Sequence, residues 1–431
     1  MSRIDSKGSP HTSVRAASWA TVTVFALNGF VFASWLSRLP AIRDDLGLTP
    51  STIGLLLLVG SLGSVIALPL AGTVVTRWGT ARTVAGAALL ASVGLLGVMI
   101  AFGASSVVAM AALLALTQAG IAAWDVAMNL EGTRVEQALH RAIMPAYHAA
   151  FSGGTVFGAG LGALMAHLGV PVAVHLLGAA ALAVLLVAAA VRRFLPQPSA
   201  APEGHGTADS GGTGGLGDDG EAANAHRAGA GARAALAAWL EPRTLLIGLM
   251  VLSAALTEGA ANDWLTLASI DAFGLDNSQG ALVLAVFLVA MTAMRLVGTR
   301  LLDAWGRVLV LRVCIAAALL GLLAFTLAPV PWLAIIGVVL WGIGAALGFP
   351  VGMSAASDEP AHAAARLSVV STIGYTAFLA GPPLLGLLAE HVGLRHALLV
   401  IAVPLLISLL VTGAARPPRV TATADGATRG S

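Results

Sequence analysis

A few side chains able to carry charge or a proton sit inside long apolar stretches of this chain. An ionisable group at the middle of a bilayer costs roughly 2.5–3.5 kcal/mol unless it is paired or hydrated, so each one invites a functional reading. Asp125 has Gln118 seven residues before it and Asn129 four after it, all on one helical face. His148 falls at matching depth in the next apolar stretch, with Ser152 and Thr155 continuing its face. An Asp–His pair in a low dielectric can share a proton and change its net charge when water or solute arrives. The same spacing also fits a hydrogen-bonded clasp between two helices. Glu258 lies deeper, about 22 Å along its helix from the side of the chain ends, with Asn262 one turn further on. It reads as a proton carrier or solute contact; the competing reading pairs Glu258 or Asp263 with Arg38. Asn28 is flanked at helical spacing by Phe25, Phe32 and Trp35, an amide with aromatic walls or a packing stripe. Tyr375, with Ser368, Ser371 and Thr372 behind it, is a similar case. Arg295, about 10 Å from its helix end, reads as an interface anchor or a partner for Asp303.

These residues need elements to hold them. Of 431 residues, 58% are apolar and 10% charged, against about 25% charged in soluble domains. Such a chain cannot clothe two or three globular domains in polar surface. A net charge of +2 argues against a nucleic-acid partner. The single cysteine, Cys314, excludes a disulfide framework or a cysteine-based metal site, and no cofactor or metal is expected. Twelve apolar runs are long enough to cross a bilayer as helices. They lie near 17–37, 51–76, 82–103, 106–130, 143–168, 170–194, 243–269, 277–302, 308–328, 330–355, 364–389 and 393–414, and are numbered here as spans 1 to 12.

Residues 196–242 form a Gly/Ala/Asp/Pro-rich segment, expected to be a disordered linker, and the tails 1–16 and 415–431 are similar. The expected organisation is therefore a six-helix bundle over 17–195 and a second over 243–414. The basic residues fall overwhelmingly on the side of the two termini; only Arg38, Arg43 and Arg395 fall opposite. The positive-inside rule then makes both termini and the linker cytoplasmic.

The two sets of six spans repeat one another. GLTPSTIG at 47–54 aligns with GLDNSQG at 274–280, LPLAGTVVTRWG at 68–79 with MRLVGTRLLDAWG at 294–306, and GALMAHLG at 162–169 with GLLAEHVG at 386–393. Parallel repeats around a midplane site are a common plan for secondary transporters. Features shared by both halves, such as His167 and His391, read as scaffold; polar groups present in one half read as functional candidates.

The loop between spans 2 and 3 carries Gly72, Thr76, Arg77, Gly79 and Arg82. It resembles the GxxxDRxGRR signature of the major facilitator superfamily, with Thr76 in place of Asp. Its second copy keeps Asp303, Gly306 and Arg307. The stretches at 27–48, 124–132, 258–264 and 381–398 resemble a bacterial inner-membrane permease-like branch distantly similar to fucose permease. The resemblance implies an all-α membrane fold of twelve helices in two pseudo-symmetric bundles. It further implies alternating access about a cavity lined mainly by spans 1, 4, 7 and 10, with 2, 5, 8 and 11 flanking. It makes Gly72, Arg77, Gly79, Asp303, Gly306 and Arg307 a conformational latch. In span 5, Gly153, Gly154, Gly158, Gly160 and Gly162 partly resemble a motif of proton-coupled drug antiporters, with Ala159 where that motif has Pro.

The expected function is secondary active transport of a small solute across the inner membrane, coupled to protons through Asp125, His148 and Glu258. Asn28, Phe32, Gln118, Asn129, Asn262 and Tyr375 are the cavity candidates. A monomer in the lipid bilayer suffices for this. No phosphate-binding loop of the GxxxxGK[ST] kind is present. Efflux of amphipathic compounds, a non-transporting sensor and, last, a membrane-embedded enzyme are the alternatives.

Overall fold

The computed structural model describes residues 10–141, 143–196, 237–359 and 362–417. Most of the 196–242 linker and the outer parts of both tails lie outside the described residues. Span 1 is longer than expected, Pro10–Leu46. Part of the N-terminal tail is thus helical, and so is the stretch containing Arg38 and Arg43, which lies beyond the expected end of span 1. The helices that follow are Pro50–Gly103, Val107–Leu139, Met144–His167, Val172–Ala190, Pro242–Phe273, Asn277–Trp305, Arg307–Leu327, Pro331–Ala345 with Gly348–Ala356, and Ala363–Val392. Span 12 is assembled from Leu394–Ala397, a 3-10 turn and Ala402–Val411. Helix starts carry local signals: Thr49 accepts a bond from the Thr52 N–H with Pro50 in the first turn, and Asp276 and Gln279 form a capping box.

The element Pro50–Gly103 contains 54 residues. A straight helix of that length would measure about 80 Å, far more than a bilayer core. It reverses at Gly79, whose φ of 82° and ψ of 162° suit glycine. Gly63 and Gly94, roughly equidistant from that point, both press on the same turn of span 4, at Ala115 and Thr117. The element is therefore spans 2 and 3, and the chain crosses twelve times. The repeat shows in the backbone as well. The described glycines with positive φ pair off as Gly47 with Gly274, Gly79 with Gly306, and Gly169 with Gly393, which are the aligned positions of the three sequence matches.

Large apolar side chains such as Leu55, Ile66, Ile100, Leu185 and Leu410 are exposed on the outside of the bundles, as a lipid-facing surface requires. Inside, one apolar core unites Leu39, Ile53, Met110 and Leu176 of the first bundle with Trp264, Phe287, Phe325 and Trp341 of the second. A separate core around Phe25, Trp124, Tyr147 and Val187 belongs to the first bundle alone. The shared part of the first bundle is its end away from the termini, here called the far side; the separate core is at its terminal end. Among the described residues, the two hydrogen bonds that join the bundles are also on the far side. Arg43 Nη1 meets Asp271 Oδ1 at 2.7 Å, and the Ser51 hydroxyl donates to Glu390. Spans 2 and 11 touch there almost backbone to backbone: a Cβ on Gly54 would stand 2.6 Å from the Pro382 carbonyl oxygen. The bundles are thus closed together on the far side.

Candidate functional site

Between the bundles lies a small, partly open cavity. Span 1 contributes Phe32 and Leu36, span 5 Phe151, Ser152 and Thr155, span 7 Glu258 and Asn262, and span 8 Met291 and Arg295. Its charged feature is an ion pair: Arg295 Nη2 donates to Glu258 Oε2 at 2.8 Å. Arg295 Nε donates to the Ala346 carbonyl at 3.1 Å. That carbonyl is free because span 10 breaks between Ala345 and Gly348 and the residue four further on, Pro350, has no N–H to offer it. The Arg295 and Glu258 side chains keep 29% and 21% exposure, so the pair faces the cavity. One turn beyond, Asn262 Oδ1 is buried with no hydrogen-bond partner among the described residues. The arrangement presents a guanidinium, a protonatable carboxyl, an open amide acceptor and two aromatic walls to a small polar molecule.

Several expectations need correction. Arg295 is neither an interface anchor nor a partner of Asp303, because span 8 continues to Trp305 and the long side chain reaches Glu258. Arg38 pairs with neither Glu258 nor Asp263; its Nη2 donates to the Val170 carbonyl at 2.6 Å. Asp125 and His148 make no hydrogen bond to each other. Asn129 Nδ2 donates to Asp125 Oδ1 at 3.3 Å and to its carbonyl at 2.9 Å. The His148 ring packs edge-on to Phe25 with centroids 5.5 Å apart. Asn28 is buried and reaches the Ile121 carbonyl at 3.4 Å, so it ties span 1 to span 4. The Gln118 side chain lies near Gly60 of span 2. Tyr375 packs against Phe378 and does not line the cavity. Gly154 and Gly158 meet the Ala26 and Phe30 carbonyls of span 1, the packing role of small residues.

The latch residues divide. Gly79 and Gly306 form the chain reversals, and Arg307 Nη1 binds Asp358 at 2.8 and 3.0 Å. Arg77 and Asp303 are exposed and make no ion pair among the described residues. A side chain at Gly72 would meet nothing within 4 Å. Sequence reading missed the acidic hubs that these loops serve. Glu131, at the terminal end of span 4, is 0% exposed. It accepts from Thr80 Oγ1 at 2.6 Å, Arg134 Nη1 at 2.8 Å and the Leu195 N–H at 2.8 Å. Asp358 holds the equivalent place at the end of span 10, where it accepts from Arg243 and Arg307. Each hub joins the residue after a reversal glycine to the end of its bundle's sixth span or to the chain just beyond it. The available signal was a carboxylate followed three residues later by Arg134 on a helix.

The model of the Major Facilitator Superfamily matches residues 18–267 and 247–430. An uncharacterised MFS-type transporter of Yersinia pestis is 30% identical over 409 residues, covering 93% of this chain and 95% of that protein. Among solved structures, a variant of the nucleoside transporter NupG superposes with a TM-score of 0.71 at 16% identity, over 93% of this chain and 99% of that one. A variant of the Escherichia coli fucose:proton symporter FucP gives 0.62 at 14% identity, over 93% and 98%.

Proposed function

As the chain belongs to the major facilitator superfamily, we propose that it moves a small polar solute across the bacterial cytoplasmic membrane together with a proton, by alternating access. The observation that carries this reading is the Glu258–Arg295 pair, set between lipid-facing helices yet open to a cavity at the bundle boundary. A protein gains nothing structural from a charge pair at that cost; a carrier gains a site whose charge state follows its load. The bundles, residues 17–195 and 243–414, rock as units, and the terminal side is cytoplasmic by its arginine excess. With the far side closed, this conformation faces inward. Arg77 and Asp303, exposed and without an ion pair among the described residues, fit a latch in its released position. Asp125 and His148 serve as secondary groups near the inner mouth, and the monomer is the working unit.

Reconstitution into liposomes with an internal pH-sensitive dye tests the reading. Addition of a transported solute is expected to move protons inward with it. Solute binding with no flux of solute or proton would make the chain a sensor on the same fold and sink the transport reading.

A further inference from the structure

The ion pair carries information about what the cavity accepts, and the inference rests on the coupled-transport reading above. We propose that the solute is a small hydroxylated carboxylate that takes Arg295 from Glu258, and that Glu258 then holds the proton that travels with it. The argument begins with the unequal chemistry of the partners. A glutamate can be neutralised by one proton, whereas an arginine side chain stays charged in proteins. Arg295 must therefore keep an anionic partner whenever the pair opens. A cationic solute would capture Glu258 and strand Arg295 beside a second positive charge. A neutral solute would leave the pair closed and give no reason for proton uptake. An anion alone can separate the pair without leaving an uncompensated charge in low dielectric.

The donors fit a carboxylate. Arg295 Nε is committed to the Ala346 carbonyl, and Nη2 is the atom that Glu258 uses. Nη1 makes no hydrogen bond among the described residues. Nη1 and Nη2 together form the fork that binds a carboxylate through two parallel bonds. A phosphate dianion would bring more charge than one arginine and one proton offset. Asn262 Oδ1, buried without a partner, asks for an uncharged donor on the solute; a hydroxyl supplies it. An ammonium there would add positive charge after Glu258 had been neutralised.

The charges balance. The solute carboxylate replaces the Glu258 carboxylate on Arg295, two carboxylates facing one guanidinium cannot both remain ionised without cost, and a proton from water binds Glu258. One negative solute and one proton cross together, so the step is electroneutral. Other groups around Glu258 are few. His148 of span 5 packs edge-on to Phe25. Tyr375 of span 11 packs against Phe378, and Asp125 of span 4 accepts from Asn129. Asp263, on span 7 itself, lies in a separate pocket against Phe378 and Pro382 of span 11. Arg38 of span 1 is turned to Val170, and spans 10 and 12 have no titratable side chain at this depth.

The test uses the full chain in detergent, with thermal stabilisation read against gluconate, lactate and glycerate and against their uncharged counterparts sorbitol and glycerol. The acids are expected to stabilise the protein and the polyols not. Their affinity should rise about tenfold per pH unit as pH falls, the mark of one proton bound with each anion. Glu258→Gln is expected to bind the acids at least as tightly and with no pH dependence, a gain that a folding defect cannot imitate. Arg295→Gln should lose them. Equal stabilisation by the polyols, pH-independent binding by the native protein, or failure of every acid at tens of millimolar to stabilise Glu258→Gln would each overturn the proposal. Because binding in detergent needs no flux, proton-linked acid binding without transport would spare this inference and remove the transport reading. Proton-coupled flux of a neutral solute would do the reverse.

Discussion

The two bundles place a carboxylate at the same corner of the fold but surround it differently. Glu131 is wholly buried and shares one arginine, one hydroxyl and one backbone N–H, while Asp358 is partly exposed and answers to two arginines. Within the spans the contrast reverses. Asp125 of the first bundle is satisfied along its own helix by Asn129. Glu258 of the second reaches across to another span and meets a full charge. The repeat thus preserves positions and leaves the charge count free, and the second bundle is the one with an ion pair available for exchange.

Glu258→Gln strikes that difference hardest. It is expected to abolish solute accumulation driven by a pH gradient, with Asp125→Asn lowering the rate several-fold; equal loss in both variants would erase the distinction. Next is the contact between bundles. Gly54→Leu sets a side chain against Pro382 and Pro383, so the far side should fail to close. Cysteines introduced near Thr49 and His391 should then react with a membrane-impermeant reagent far faster than in the parent, and unchanged reactivity would show the contact to be dispensable. Third are the hubs. Glu131→Ala takes the acceptor from the buried Thr80 hydroxyl and the Leu195 N–H and the counter-charge from Arg134, which keeps the Pro196 carbonyl, and should cost about 3 kcal/mol. Asp358→Ala should cost about 1–2 kcal/mol, because its two arginines retain water and carbonyl partners. Denaturant unfolding compares the two, and a larger loss for Asp358→Ala would invert the ranking.

The smallest effect concerns acid. The Arg366 guanidinium, hydrogen-bonded to Glu241 and ion-paired with Glu359, holds both carboxyls below the ordinary value of 4.5. Because the folded values are lowered, the stability these groups add is complete above the unfolded value and is lost as pH falls through the folded ones. The stability gap between the native protein and Arg366→Gln should therefore shrink between about pH 6 and about pH 3. A constant gap would remove these pairs from the ledger of the second bundle.

Most of the scaffold was legible in the chain because lipid demands helices of a minimum length and the repeat marks its own turns. Gly47, Gly79 and Gly169 could be matched to Gly274, Gly306 and Gly393 before any coordinates, since a reversal needs the same backbone freedom in both halves. The site was less legible. Counting residues from a helix end gives depth but not direction around the axis, so Asp125 and His148 seemed matched although one turns to Asn129 and the other to Phe25. The same counting separated Glu258 from Arg295, because it took no account of the arginine's reach or of three further residues of span 8. Glu131 lay in view in the 124–132 stretch, but only the fold shows that Thr80 and Leu195 converge on it.

The seam made by Gly54 with Pro382 and Gly386 with Pro50 has an energetic consequence. Smooth ribs meet there with little side-chain area to unstack. The polar ties beside them, Arg43 to Asp271 and Ser51 to Glu390, are wet and worth about 0–1 kcal/mol each. The ties themselves therefore hold little of the closure, which falls to the apolar core that the bundles share on that side, and parting the seam means wetting that core.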